Sequence, residues 1–186
     1  MTGGDWVPPA VDPYVALGDA GRADEAVRER MAERELRQRA TEGATFAGTL
    51  RDLAEAATSV SLHTATGRSY QGALVAVAID HLVIRSGVGA LVHVAIDQVT
   101  AIQPDPTRPP TVASGEREAA AGRTLDEVLF DAVAERPTVA LVTRGDGTVH
   151  RGQLLAVGED VLTLRATEAG QLRYLPALAL SEVVVE

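Results

Sequence analysis

The chain has 186 residues, of which 46% are hydrophobic and only 3% aromatic, and it carries a formal net charge of −9 at pH 7. This length suits one ordinary domain or two small ones, and the acidic balance argues against a general polyanion-binding surface. The absence of cysteine excludes disulfides, thiolate metal sites and cysteine nucleophiles.

Residues 1–42 are predicted to form an irregular tail followed by a charged helix. Residues 1–20 contain several glycines and prolines and show no hydrophobic period, and the exceptions are the aromatic residues Trp6 and Tyr14. From Ala23 to about Ala40, helix formers predominate and acidic and basic residues recur at four-residue spacing. The apolar stripe of this helix is thin, so we expect it to be solvated on most sides or to act as an arm toward a partner chain.

An internal repeat dominates the rest of the chain, because Val60 to Ile102 recurs as Val139 to Val183. Only short insertions in two loops are needed to keep the copies in register. Matching pairs are Gly67 and Gly147, Gly72 and Gly152, Leu74 and Leu154, Val77 and Val157, Asp80 and Asp160, Leu82 and Leu162, and Arg85 and Arg165. A repeat of this length predicts two similar structural units.

Each copy begins with a predicted helix and continues with five short strands. The first helix opens at Gly43 and Thr45, and the second opens at Thr124, which forms a capping box with Glu127. Alternation of apolar and polar residues predicts strands that begin at Val60, Tyr70, His81, Leu91 and Val99, and again at Val139, Thr148, Val161, Gln171 and Glu182. Gly72 and Gly152 interrupt the longest strand of each copy, which predicts a bulge or sharp bend there.

The predicted fold is mainly β with helices, in the α+β class. It consists of two tandem five-stranded antiparallel barrels, each preceded by a helix, plus the N-terminal charged helix. The predicted divisions are a tail and helix at residues 1–42, a first barrel at 43–103, a linker at 104–121 and a second barrel at 122–186. The linker is identified by its prolines and by the charged, alanine-rich piece after them.

The residues that carry this pattern are an apolar pair, a glycine turn, a second glycine two residues before a leucine, and an aspartate that heads the third strand. They are Val60, Leu62, Gly67, Gly72, Leu74, Val77 and Asp80, and again Val139, Leu141, Gly147, Gly152, Leu154, Val157 and Asp160. In this pattern each copy resembles the Sm-like (LSm, Hfq) barrel and shares much with related SH3-like barrels. The tandem form is similar to an actinobacterial family of two such units, some members of which carry a transcription-regulator label.

The resemblance implies a ring in which the fourth strand of one barrel pairs with the fifth strand of the next, with RNA held at loops near the third and fifth strands. The chain departs from the pattern at RNA-contacting positions. Leu82 and Val83 stand where Sm proteins have an asparagine and an aromatic residue after the aspartate. The Arg-Gly pair before the last strand and the Gln-Phe and Lys-His elements of Hfq are also absent. The motifs therefore specify a barrel more sharply than an activity.

No cofactor, metal site or catalytic centre is predicted. The histidines show no ligand spacing and are expected to lie exposed or on edge strands; they are His63, His81, His93 and His150. All 17 basic residues are arginine, so no lysine-containing phosphate loop can form, and no nucleophile elbow occurs. Asp80 and Asp160 are expected to accept hydrogen bonds from turn amides instead of acting as acids.

We therefore expect a non-enzymatic Sm-like protein that binds RNA or single-stranded nucleic acid or assists a nucleoprotein complex. The candidate contacts are arginines and histidines near the barrel rims, namely Arg68, His81, Arg85, His93, Arg151, Arg165 and Arg173. The alternative is a structural or adaptor module that binds protein through the N-terminal helix and does not bind nucleic acid. The lack of a leader-like N-terminus and of an apolar run of about 20 residues favours a cytoplasmic location without a membrane partner.

Self-association is predicted from the fourth and fifth strands of each copy, within Leu91–Ile102 and Leu172–Val185. These strands are short, apolar and free of lysine or proline apart from Pro176, and such edges invite pairing with another chain. A ring of three chains, an isologous dimer and pairing of the two barrels within one chain are all compatible with the sequence. Glu182 and Glu186 are expected to blunt the edge of the second copy.

Overall fold

The computed structural model describes residues 25, 27–36, 38–39, 42–107, 122–168 and 170–186. The chain divides into two compact units, Met1–Gly43 and Ala44–Glu186. The predicted tail of residues 1–20 and most of the predicted linker, residues 108–121, lie outside the described residues. None of the described helices is long and apolar enough to cross a membrane.

The described part of the first unit is a helix, α1, in which residues 27–36 are helical. Every described side chain in it is exposed, including the apolar Val27, Met31 and Leu36. The prediction of a helix with a thin apolar stripe is therefore confirmed for these residues.

Two further helices, α2 (Phe46–Glu55) and α3 (Leu125–Ala132), each precede a run of strands. Thr45 caps α2 by accepting a hydrogen bond from the Gly48 amide at 3.0 Å. Thr124 caps α3 through the predicted capping box with Glu127. These caps satisfy amides that have no partner inside the helix, which is why both helices begin close to the predicted positions.

Ten antiparallel strands form one sheet in the second unit. The first half contains β1 (Ser59–Thr64), β2 (Ser69–Val77), β3 (His81–Ser86), β4 (Leu91–Ala95) and β5 (Val99–Pro104). The second half contains β6 (Thr138–Thr143), β7 (Val149–Val157), β8 (Val161–Ala166), β9 (Leu172–Pro176) and β10 (Leu180–Val185). A 3₁₀ turn precedes the last strand of each half. The prediction of a mainly β fold with helices is confirmed.

The strand order is β5-β1-β2-β3-β4-β10-β6-β7-β8-β9. The fourth strand of the first half therefore pairs with the fifth strand of the second half, inside one chain. Within the described residues, the sheet does not close on itself, and β5 and β9 pair on one side only. The two tandem barrels stay a prediction. The expectation that Glu182 blunts a free edge is wrong, because β10 lies inside the sheet and Glu182 is fully buried.

Each half of the sheet has its own aliphatic core, and a helix packs into each. The first core contains Leu50, Leu53, Val60, Leu62, Leu74, Leu82, Ile84, Val92 and Val94. The second contains Leu125, Leu129, Val139, Leu141, Leu154, Leu162, Leu164, Leu175, Leu180 and Val183. Val184 of β10 also packs against the first core, so the halves share part of their packing. Burial of each such side chain contributes about 1.5–3 kcal/mol.

Gly72 and its counterpart Gly152 have a different role from the predicted one. A Cβ atom at Gly72 would lie 2.2 Å from the Arg85 carbonyl oxygen, and Gly152 has the same close approach to its neighbouring strand. The pairing register instead shifts between Leu74 and Ala76, and it shifts at the corresponding place in the second half. The glycines therefore permit close approach of a neighbouring backbone, and the bulges lie a few residues further on.

Candidate functional site: a closed junction and two free edges

Backbone hydrogen bonds confirm the correspondence between the two halves. The Ala65 amide donates to the Gln98 carbonyl in the first half, as the Arg144 amide donates to the Ala179 carbonyl in the second. Corresponding positions at the ends of the sheet are Ala65 and Arg144, Thr66 and Asp146, Tyr70 and His150, Asp97 and Leu178, Ala101 and Glu182, Ile102 and Val183, and His93 and Tyr174. At several of these corresponding positions the two halves have side chains of different chemical type.

The halves meet at what we call the closed junction, formed by β4, β10 and the turns beside them. The strand pairing there places His93 opposite Val183 and Val94 opposite Glu182. Because side chains alternate across a strand, Val94 points into the first core and His93 points to the other side of β4.

A buried carboxylate lies within the closed junction. Glu182 is 0% exposed, and three hydroxyls donate hydrogen bonds to it. Thr66 Oγ1 donates to Oε1 at 2.7 Å, Ser181 Oγ donates to Oε1 at 2.9 Å, and Tyr70 OH donates to Oε2 at 3.4 Å. We call these three residues the hydroxyl cage. A buried carboxylate without partners is costly, so the cage is what allows Glu182 to remain inside the sheet.

Two of the three cage residues belong to the first half, whereas Glu182 belongs to the second. Burial and the Glu182 carboxylate together raise the pKa of Tyr70 to about 12, so its phenol stays protonated and able to donate near neutral pH. Thr66 is held in place by a second contact, with Thr64 Oγ1 at 2.8 Å. The cage therefore joins the halves by polar contacts as well as by strand pairing.

Two buried histidines lie on the other side of β4. His81 and His93 are 2% and 6% exposed, and their ring centroids are 5.2 Å apart. His81 Nδ1 lies 2.8 Å from Asp80 Oδ1, and Asp80 also accepts a hydrogen bond from the Leu125 amide at the start of α3, at 3.1 Å. Burial, with a smaller contribution from His81, lowers the pKa of His93 to about 4. The expectation of exposed or edge histidines is wrong for this pair. The expected turn-amide partner of Asp80 is replaced by a helix amide from the second half.

The turns beside the strands add contacts between the halves. Arg144 forms an ion pair with Asp97 and donates from Nε to the Leu180 carbonyl at 2.9 Å. Arg68 Nη2 donates to the Gly147 carbonyl at 3.4 Å. The closed junction thus combines strand pairing, a buried polar cage and interlocking turns.

The outer strands β5 and β9 present what we call the free edges. Alternate residues of β9 bond to β8, which leaves the backbone groups of Leu172 and Tyr174 directed outward. On β5, the same alternation leaves Ile102 directed outward. Pro104 and Pro176 each remove one amide donor from these edges, and prolines of this kind are tolerated only at an edge.

Four exposed apolar side chains lie at positions whose counterparts in the other half belong to the closed junction. Phe46, Leu172, Tyr174 and Leu178 are 46%, 50%, 66% and 85% exposed. They correspond in the repeat to Leu125, Leu91, His93 and Asp97, all of which lie at the closed junction. Each free edge therefore carries the apolar counterpart of a contact that is already made inside the chain.

The five predicted arginine contacts are all exposed, and they do not form one cluster: Arg68, Arg85, Arg151, Arg165 and Arg173. Arg68 lies at the closed junction. Arg173 lies on the free edge of β9, with Nη1 3.3 Å from His150 Nδ1. His81 and His93 are buried, so their rings are not placed to contact a nucleic acid.

Sequence reasoning missed the residues of the cage and the link from Asp80 to α3. A signal was present in the repeat itself, since Glu182 is a charged residue in the apolar strand β10, at a position where β5 has Ala101. Over the described residues, no group of three or more His, Cys, Asp or Glu side chains could hold a metal ion. No protein-family model matches the chain, and no curated protein matches it.

Proposed function

We propose that the chain is a non-enzymatic assembly module of the Sm-like kind, whose two halves are small barrels and whose copies join through β5 and β9. The observation that carries this proposal is the pairing of β4 with β10. A fourth strand and a fifth strand already pair inside the chain, and one strand of each kind remains at the free edges. A second copy offers the missing partner for both.

Pairing of β9 with β5 of another copy is heterologous, so it repeats from copy to copy and closes into a ring where the rotation permits. Three copies would supply six halves. The register of the closed junction, transferred by the repeat, places Tyr174 opposite Ile102 of the next copy. An isologous dimer through one kind of edge would not reproduce that arrangement.

The helices support the same arrangement. At the closed junction, the α3 residue Leu125 is 6% exposed and its amide bonds to Asp80. Its counterpart on α2, Phe46, is 46% exposed, and the counterpart of Asp80 is the exposed Asp160. Docking of a second copy would bury Phe46 and bring its amide to Asp160, which removes an exposed aromatic ring from water.

Light scattering coupled to size exclusion tests the assembly. The wild-type chain is expected to give a mass that is a multiple of 19.5 kDa at micromolar concentration. Tyr174→Asp places a charge on the free edge and is expected to return the mass to one chain. Val88→Asp is the control and is expected to associate as wild type does, because Val88 is an apolar side chain that is 92% exposed in the turn between β3 and β4. A wild-type mass of one chain would contradict the proposal.

Binding of RNA or single-stranded nucleic acid is a second candidate, favoured by one observation. Arg85 and Arg165 are exposed at corresponding positions near the ends of β3 and β8. In a head-to-tail assembly, these guanidinium groups would recur at regular intervals, which suits a phosphate backbone. The net charge of −9 works against general binding of polyanions, so any binding would depend on a local arginine site.

Fluorescence anisotropy with single-stranded RNA and DNA at low and high salt tests this second candidate. Binding is expected to be strongest at low salt and to weaken in the double variant Arg85→Ala with Arg165→Ala. The control removes two exposed arginines of α1, Arg34 and Arg39, and is expected to bind as wild type does. Absence of binding at low salt would contradict the nucleic-acid hypothesis without affecting the proposed assembly.

A further inference from the structure

We propose that Glu182 determines which strands pair, because its carboxylate meets hydroxyl donors beside the first half and would meet none of them beside the second half of another copy. The part of this inference that concerns β9 rests on the assembly proposed above. The part that concerns β10 rests on the closed junction alone.

Beside the first half, Glu182 meets hydroxyl donors. Thr66 and Tyr70 both donate to its carboxylate, at 2.7 Å and 3.4 Å. These two residues come from the turn and strand that flank the pairing of β4 with β10. The first half therefore provides a site for a buried carboxylate at this one register position.

Beside the second half, the corresponding residues are Asp146 and His150. Asp146 takes the place of Thr66 in the turn, and its bond from Thr143 Oγ1 at 2.9 Å matches the contact between Thr64 and Thr66. Hydrogen bonds from Thr148 and then Thr143 lower the pKa of Asp146 to about 2, so it is a carboxylate near neutral pH. If β10 of one copy lay beside β9 of another, Glu182 would exchange Thr66 and Tyr70 for the like charge of Asp146 and for the guanidinium of Arg173, which lies 3.3 Å from His150 Nδ1. The cation offsets part of the repulsion, but the carboxylate would be removed from water beside Asp146 without the hydroxyl donors that it has at the closed junction.

The free strand β5 carries Ala101 at the position of Glu182. A methyl group needs no hydrogen-bond donor when it is buried, so β9 accepts β5 more readily than it accepts β10. The outcome is that a first half always lies next to a second half. Copies then join head to tail instead of sorting into stacks of like halves, and one buried side chain makes that choice.

A sign reversal in urea unfolding tests the role of Glu182 within one chain. In the wild-type background, Glu182→Ala is expected to lower the unfolding midpoint, because Thr66 and Tyr70 lose their acceptor. Thr66→Asp with Tyr70→His gives the first half the residues of the second at these two positions, while Val92 is kept, so that no counterpart of Arg173 is introduced. On that background Glu182→Ala is expected to raise the midpoint, because it removes the repulsion. Thr66→Asp alone serves as a milder background where the double variant is too unstable to fold. The same sign in both backgrounds would overturn the proposal.

Variants of the free edge test the selection between copies by light scattering. Ala101→Glu is expected to weaken association about tenfold, because it buries a carboxylate beside Asp146 without hydroxyl donors and Arg173 offsets only part of that cost. Ala101→Gln has nearly the same size without the charge and is expected to weaken it much less. Adding Asp146→Thr and His150→Tyr to Ala101→Glu rebuilds a cage and is expected to restore association.

These measurements distinguish failure of the proposed assembly from failure of the proposed role of Glu182. Equal association of Ala101→Glu and Ala101→Gln would overturn the selection while leaving the assembly intact. A wild-type chain that stays monomeric would overturn the assembly, and with it the selection at β9, whereas the unfolding test would still decide the role of Glu182 at the closed junction.

Discussion

The closed junction and the free edges use the same positions of one repeat, yet they are filled by different chemistry. Where the closed junction has the ion pair of Asp97 with Arg144, the free edges have Leu178 and Ala65. Where it has Glu182 in a hydroxyl cage, β5 has Ala101. At these positions the contact made inside the chain is thus polar, whereas the free edges are apolar. Within one chain, the two halves are covalently linked, so a buried polar network can form between them without the entropic cost of bringing two molecules together. A contact between two chains has to offset that cost.

One pair of positions on β4 and β9 shows the opposite difference. Val92 of β4 is 4% exposed in the first core, whereas its counterpart Arg173 on β9 is exposed and contacts His150. Pro104 and Pro176 also limit the hydrogen bonds that the free edges can form. Association between copies should therefore be weaker than the pairing within the chain, and it should depend on concentration.

The largest difference is expected for one substitution made at two corresponding positions. Val92→Asp places an uncompensated charge in the first core and should destabilise the fold by about 3–5 kcal/mol. Arg173→Asp changes an exposed side chain and should alter the free energy of unfolding by no more than about 0.5 kcal/mol. Urea unfolding of both variants checks this pair, and equal losses would show that the edge of β9 is not free.

The pH dependence of stability should come from the closed junction. The pKa of His93 is lowered from 6.5 to about 4 in the folded chain. Between pH 4 and pH 6.5, His93 is therefore mainly protonated in the unfolded chain and mainly neutral in the folded chain. Stability is then fully present above pH 6.5 and falls as the pH falls toward 4, with a slope of up to about 1.4 kcal/mol per pH unit. His93→Leu should reduce that slope, as measured by urea unfolding across the range. If the free energy of unfolding fell equally with pH in the wild type and in His93→Leu, His93 would not be the cause of the pH dependence.

A smaller effect is expected at the two aspartates that head the third strands. Asp80→Ala removes the acceptor for the Leu125 amide and the partner of His81, and it should cost about 1–2 kcal/mol of stability. Asp160→Ala should leave unfolding unchanged within about 0.5 kcal/mol and weaken association instead, because its helix partner in the proposed assembly would come from a second copy. An equal loss of stability in both variants would contradict the view that only Asp80 has its helix partner inside the chain.

The smallest effect is expected for the ion pair between the turns. The side chains of Arg144 and Asp97 are 37% and 61% exposed, and exposed pairs of this kind contribute at most about 1 kcal/mol. Asp97→Ala should therefore lower stability by less than this amount, and the loss should shrink at high salt. A loss that is large or independent of salt would contradict this, because it would show that the ion pair between the turns contributes more to the stability of the closed junction than an exposed pair can.

The features that the sequence predicted correctly are local ones. The repeat, the capping box of Thr124 and most strands follow from patterns that span a few residues, and 3₁₀ turns shift some strand ends by only a residue or two. The pairing of β4 with β10 is different, because the repeat offers each fourth strand two equivalent fifth strands and nothing local chooses between them. The burial of His93 could not be predicted for the same reason, since it depends on β10 covering β4.

The cage was missed because its parts are far apart in the chain. Thr66 and Tyr70 lie 116 and 112 residues from Glu182. A glutamate in an apolar strand is ordinarily assigned to solvent, and only the strand pairing shows that donors from the other half meet it. Comparison of Glu182 with Ala101 could have marked the position as special, although it could not have named the partners.

Disulfide trapping between copies tests the central claim most directly, because the chain contains no cysteine of its own. Ile102→Cys combined with Tyr174→Cys joins two positions that the repeat places opposite each other, at a Cα separation of about 5.5 Å that suits a disulfide. Mild oxidation is expected to give covalent multiples of 19.5 kDa. Gln103→Cys with Tyr174→Cys is the control, since Gln103 points to the other side of β5 and should not link. Failure of the first pair to link, or equal linking by both pairs, would contradict the pairing of β9 with β5.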